Sequence, residues 1–223
     1  MKRTKLCQRL LPLYSRGEEM MNTVTHIVGG GLSVMGFLLC LWKAVLSGSA
    51  TGILCACIYG FSMVALYTVS SIYHGLPHCT GKKVFQVIDH CTIYLLIAGT
   101  YTPIVLCAVA PVYPYIGWGL FATEWILATI AATLTAIDLR RYRVFSMFCY
   151  IGMGWSVIFF LPQVMVVLPA SGFCFLLAGG IAYTVGAVLF GLGKKIKWMH
   201  SVFHILVVTG TVLQFITIFC YVL

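Results

Sequence analysis

The sequence predicts an all-α, polytopic membrane protein: a seven-transmembrane helix bundle with its N-terminus cytoplasmic and its C-terminus exterior. Three observations carry this. Of 223 residues, 61% are hydrophobic and 9% charged, with mean hydropathy +1.01, whereas soluble domains carry about 25% charged residues. Apolar runs near the ~20 residues that cross a bilayer recur along the whole chain. Thirteen of the fourteen basic residues fall in segments that alternate spans place on one side, with Lys43 alone opposite. Positively charged loops stay in the cytoplasm, which fixes the orientation, and an even number of spans breaks the alternation. The net charge of +9 therefore reports orientation, and nucleic acid is not expected as a partner.

Residues 1–17 mix Lys2, Arg3, Lys5, Arg9 and Arg16 with Leu6, Leu10, Leu11, Leu13 and Tyr14. This reads as a basic cytoplasmic or interfacial segment, ahead of a single membrane domain over 18–223. The run Val24 to Leu46 is too long for a secretory apolar region and no small-residue cleavage site closes it, so it is expected to be retained as the first span. Six more spans are expected near 52–76, 87–109, 113–137, 145–168, 172–192 and 199–221. Pro103 should loosen the third and Pro162 the fifth. Gly29-Gly30-Gly31 follows no strand, so close helix packing is expected there, not phosphate binding. Most of the ten cysteines sit inside apolar runs without a Cys-x-x-Cys and read as small buried hydrophobes.

The last span opens with His200-Ser201-Val202-Phe203-His204, two imidazoles on one helix face. Ionisable groups at that depth need partners, and a shared metal ion is an economical one. His74 closes the second span at the same membrane face, Asp89 and His90 open the third there, and Glu18, Glu19, Asn22 and His26 open the first. His74, His200 and His204 would supply three ligands of a tetrahedral Zn2+. Three protein ligands with one open position is the catalytic kind of zinc site, at which the pKa of water falls towards neutrality. Ser70, one turn before His74, would reach a substrate oxygen, or would instead bond back to the Leu66 carbonyl. Asp89 would act as general base or hold a ligand imidazole, its alternative being a helix cap. Glu19, Asn22 and His26 form a possible outer set, or are first-turn and packing residues. His78 and His90 read as structural, and Glu124 is expected to bond to a neighbouring helix.

Four signatures in order carry a resemblance. They are Glu18-Glu19-x-x-Asn22-x-x-x-His26, Ser70-x-x-x-His74, Asp89-His90 running to Gly99-Thr-Tyr-Thr-Pro103, and His200-x-x-x-His204. Together they resemble the bacterial hemolysin III family, grouped with the progestin and adipoQ receptors and more distantly with alkaline ceramidases. The resemblance covers essentially the whole chain. It implies seven helices, an intramembrane zinc on His74, His200 and His204, and Ser70 and Asp89 beside it. The long N-terminal region of the adiponectin-receptor relatives is lacking, so hormone reception is not carried over.

Three functions follow as expectations. The first is a metal-dependent hydrolase of lipid amide or ester bonds acting in membrane lipid homeostasis, with membrane lipids as partners, in a bacterial plasma membrane. The second is a pore-forming, cytolytic protein, disfavoured as a monomer because stretches such as Phe37–Trp42 and Phe215–Leu223 are strongly apolar. The third is a sensor of membrane state in which zinc only braces the bundle.

Overall fold

Ser15 and Glu18 start the first helix. The Ser15 hydroxyl accepts from the Glu18 backbone N–H, and the Glu18 carboxylate accepts from the Ser15 N–H at 2.9 Å, a capping box that satisfies the free N–H groups of a first turn. Helix α1 therefore runs Arg16–Leu46 and begins well before the apolar run at Val24, with Glu18, Asn22 and His26 buried on its inner face. The structure, a computed structural model, describes residues 4, 6–193 and 196–223. Lys2, Arg3, Lys5, Lys194 and Lys195, counted above for charge asymmetry, lie outside the described residues.

After α1 come α2 (Ala50–Gly75), α3 (Thr80–Pro103), α4 (Pro114–Ile137), α5 (Arg143–Gly154), α6 (Leu161–Val167), α7 (Ala170–Leu192) and α8 (Met199–Tyr221). They make seven segments long and apolar enough to cross a membrane, the fifth combining α5 and α6. No strand occurs among the described residues.

Two crossings depart from regular helix. After Pro103 the third continues as a π-helix over Ile104–Val109, where Ala110 N–H reaches back five residues to the Val105 carbonyl at 2.8 Å. The fifth breaks ahead of its proline: α5 stops at Gly154, a 3-10 stretch spans Ser156–Phe160, and Pro162 sits in the first turn of α6. Proline cannot donate to an i−4 carbonyl and clashes with it, so the chain restarts the helix around Pro162.

The core lies among α1, α2, α3 and α8, built on Tyr59, Met63, Leu66, Tyr67, Leu96, Val207 and Ile218. In the run Gly29-Gly30-Gly31 of α1, only Gly29 needs to be glycine for space: a Cβ there would meet the Tyr67 ring at 2.6 Å, while at Gly31 it would meet nothing. Lys43, at the end opposite the histidines, donates to the Phe219 carbonyl and lies over the Phe219 ring, a cation placed at the negative end of α8. The described cysteines are all free thiols.

Candidate metal centre

Two crossings bring three imidazoles to a single point. His74 ends α2, and His200 and His204 stand one turn apart in the first turns of α8; all three are buried. Their ligand atoms lie within 4.8 Å of one another, with His204 Nε2 3.1 Å and His74 Nε2 3.4 Å from His200 Nε2. A ring nitrogen offers one in-plane direction, carrying either a proton or a lone pair. His200 Nε2 therefore cannot bond to both neighbours at once, and a cation between the three satisfies all of them. Ligand bonds of ~2.0–2.1 Å in a tetrahedron put nitrogens roughly 3.3–3.4 Å apart, close to the two spacings at His200 Nε2.

His74 is oriented from behind. Its Nδ1 lies 2.7 Å from Glu19 Oε2, and Nδ1–H donating to that carboxylate leaves the Nε2 lone pair facing the other rings. Glu19 Oε1 pairs in turn with Lys82 Nζ at 2.8 Å. Lys82 is buried and also donates to the His74 and Leu76 carbonyls, so one ammonium ties the end of α2 to α1 and α3. Asn22 Nδ2 is 3.4 Å from His74 Nδ1, and Asn22 Oδ1 accepts the Ser201 hydroxyl at 2.7 Å. His26 takes another position. Its ring stacks on His204 at 3.8 Å and meets Tyr67 edge-on, and neither of its nitrogens has a hydrogen-bond partner.

The remaining expected residues are placed less closely. Ser70 is buried one turn below His74; its neighbour Ser71, not Ser70, makes the bond back to an i−4 carbonyl, that of Tyr67. The Asp89 carboxylate lies 3.9 Å from His90 Nδ1 and near enough to Tyr14 to act on its phenol, on the rim of the histidine cluster. His90 bonds to the Gln86 carbonyl and His78 is exposed. Glu124 does not bond to a neighbouring helix: both carboxylate oxygens are buried without a partner.

Sequence reasoning missed the cover over the site. Tyr14 lies flat on His200, ring centroids 4.8 Å apart and planes 14° from parallel, and also faces His74 at 5.9 Å. Burial, then the charges of Glu19, Asp89 and Glu18, hold its phenol well above the usual range. The segment leading to it is pinned beneath α4, where Thr4 N–H donates to Asp138 Oδ2 at 2.8 Å and Arg9 to the Ile137 carbonyl. Burial raises the Asp138 carboxyl, but N–H donors from Thr4, Arg141 and Arg140 outweigh it and bring the pKa to about 2. Trp198, just before α8, takes a left-handed backbone (φ 68°) and donates its N–H to Glu18 Oε1 at 2.8 Å. Nothing in the apolar-plus-basic pattern of residues 1–17 marks Tyr14. Lys82 had one signal, a lone basic pair facing Glu18-Glu19 across the same membrane end.

The family description "Haemolysin-III related" matches residues 14–215. The chain is 37% identical over 206 residues to "Hemolysin-3" of Bacillus cereus, covering 92% of each chain. It is 34% identical over 209 residues to "Hemolysin-3 homolog" of Bacillus subtilis (strain 168), covering 94% of this chain and 96% of that one. A human relative, "Monocyte to macrophage differentiation factor", is 28% identical over 174 residues, 74% of this chain and 69% of that protein.

Proposed function

The chain belongs to the haemolysin III family, and from that premise we propose that it is a zinc-dependent hydrolase of lipid amide or ester bonds. It works in a bacterial plasma membrane, with the histidine centre at the cytoplasmic face and membrane lipids as substrates. The observation that carries this reading is the convergence of three buried imidazole nitrogens on one point, with His74 backed by a carboxylate. The donor set is all nitrogen and neutral, which suits zinc better than the hard cations that take oxygen.

His74, His200 and His204 hold the ion, and Glu19 fixes the His74 tautomer. The ion, when bound, supplies the Lewis acidity that polarises a carbonyl and makes water a nucleophile near neutral pH. Asp89 takes the proton from the attacking water and returns it to the leaving group. Ser70 donates a hydrogen bond from its hydroxyl to the developing oxyanion. A centre near the membrane face suits a substrate that arrives by lateral diffusion.

Metal analysis of purified protein beside a His200→Ala, His204→Ala double variant should show about one zinc lost per chain, as expected for one three-histidine centre. Lipid profiles of membranes holding wild type or Asp89→Asn then decide the chemistry. A change in an acyl-lipid or free fatty acid pool supports hydrolysis; no change in any pool removes it and leaves zinc as a brace in a membrane sensor. Leakage of liposome contents that survives the histidine substitutions would instead favour a lytic role of the kind the Hemolysin-3 name gives its bearer.

A further inference from the structure

Far along α4 from the histidines, one carboxylate is left unexplained. Glu124 is 1% exposed, and neither of its oxygens has a hydrogen-bond partner. It lies about 15 Å along α4 from Pro114 at 1.5 Å per residue, roughly halfway through a ~30 Å hydrocarbon core. The ion pairs among the described residues involve Glu19 and Asp89, not Glu124.

Its surroundings come from α3, the π-helical stretch and the broken fifth crossing. Ser156, in the 3-10 break, sets its hydroxyl beside the Glu124 carboxylate and also beside the Tyr101 hydroxyl of α3, and that Ser156 oxygen too is buried and unpartnered. Tyr101 is spoken for on its other sides: it donates to the Gly154 carbonyl at 3.0 Å and accepts from Val157 N–H at 3.2 Å. It is the titratable group that faces Glu124 from α3. Cys107 of the π-helix packs against the apolar cluster that holds Cys55 and Leu120, and Cys149 of α5 against the one that holds Tyr94 and Ala131. No lysine, arginine or histidine among the described residues acts on the Glu124 carboxylate.

An ionised carboxylate in an apolar interior without a donor or counter-charge costs several kcal/mol or more, and such a group neutralises instead. Two oxygens from one residue and one hydroxyl are too few for a sodium or magnesium shell, which takes about six oxygens; a proton needs one acceptor. We propose that Glu124 is a proton-binding site inside the membrane, a carboxylic acid at rest whose proton is handed to Ser156 and exchanged through the break in the fifth crossing. The break supplies the way out. The residues flanking Ser156, namely Gly154, Trp155 and Val157, line with Tyr101 a side cavity of about 60 Å³ next to the break, a volume that holds water, which needs ~10–15 Å³ per molecule. In the exchange, the Glu124 O–H bond breaks as Ser156 Oγ accepts the proton and passes its own to a water that enters the break from that cavity, leaving the proton on the water. The Glu124 carboxylate is left charged until a proton returns. This inference stands apart from the metal reading.

The test uses the full chain in lipid nanodiscs. Infrared spectra at neutral pH should contain a protonated-carboxyl carbonyl band that Glu124→Gln removes. With five acidic side chains in all, the assignment is direct. Ser156→Ala keeps the acid and should move that band to the higher frequency of a free carbonyl, which tests the pair even where Glu124→Gln folds poorly. Dicyclohexylcarbodiimide, which attacks protonated carboxyls in membranes, should label Glu124 at neutral pH and lose that labelling as the medium is made alkaline, with added sodium chloride making no difference. Absence of the band, or a band that Ser156→Ala leaves in place, overturns the proposal. Protection by sodium at constant pH overturns it too, in favour of a metal-cation site.

Discussion

The Tyr14 ring stacks on His200 at 4.8 Å and 14°, so a residue from the segment before the first helix caps a cluster made by the second and last crossings. An aromatic contact of this kind is worth about 0.5–1.5 kcal/mol beyond its buried area. Tyr14→Ala should therefore speed chelator-driven metal loss about 2- to 10-fold while leaving metal content at saturation unchanged. Stopped-flow release into a coloured chelator measures it, and an unchanged rate removes Tyr14 as a cover.

Glu19 and Asp89 should separate cleanly. Glu19→Gln weakens the support behind His74 Nδ1, and losses of this kind run to about 10–100-fold in metal affinity. Asp89→Asn should leave metal affinity within a few-fold and abolish turnover. Competition titrations with a zinc indicator distinguish the two, and an Asp89→Asn protein that loses its metal would reassign Asp89 as support for a ligand.

The glycines of α1 give a packing test with an internal control. Gly29→Ala drives a Cβ to 2.6 Å from the Tyr67 ring, a ring that also touches His26. Overpacking of this sort costs about 1–3 kcal/mol. Gly31→Ala meets nothing and gains up to ~1 kcal/mol of helix propensity. Thermal unfolding midpoints in detergent should fall for the first and hold or rise for the second.

The N-terminal segment should be held only within a pH window. The Asp138 carboxyl titrates at about 2 in the folded chain against ~3.9 unfolded. Its depressed value contributes stability that is full above ~3.9 and lost as pH falls towards about 2. Tyr14 has a raised value, so its contribution is full below the unfolded pKa of ~10 and is lost above it. Hydrogen exchange of residues 6–15 followed against pH should show protection through the neutral range and loss at both ends. Asp138→Asn should abolish the acid-side loss by removing the pinning already at neutral pH.

The positions of the seven crossings were legible because membrane insertion is a one-dimensional constraint: apolar length and the placement of charge depend on the chain alone. The histidine trio was legible for a similar reason, since each imidazole lies near a span end at the same membrane face and buried ionisable groups must find one another. The helix starts were less so. Glu19 and Asn22 read either as an outer set around the metal or as first-turn residues, and only the course of α1 from Arg16, with Asn22 buried on its inner face, brings them to the cluster.

The sequence by itself determined the membrane class, the seven spans and the three imidazoles at one end, because hydropathy and i, i+4 spacing are local properties. Tertiary structure alone decided that Glu19, not Asp89, touches His74, that Lys82 is buried as its counter-charge, that Tyr14 covers His200, and that Glu124 is left without a partner. Those outcomes turn on the rotation and depth of one helix against another. That is set by the packing of Tyr67, Val207 and their neighbours across residues far apart in the chain, and no local pattern encodes it.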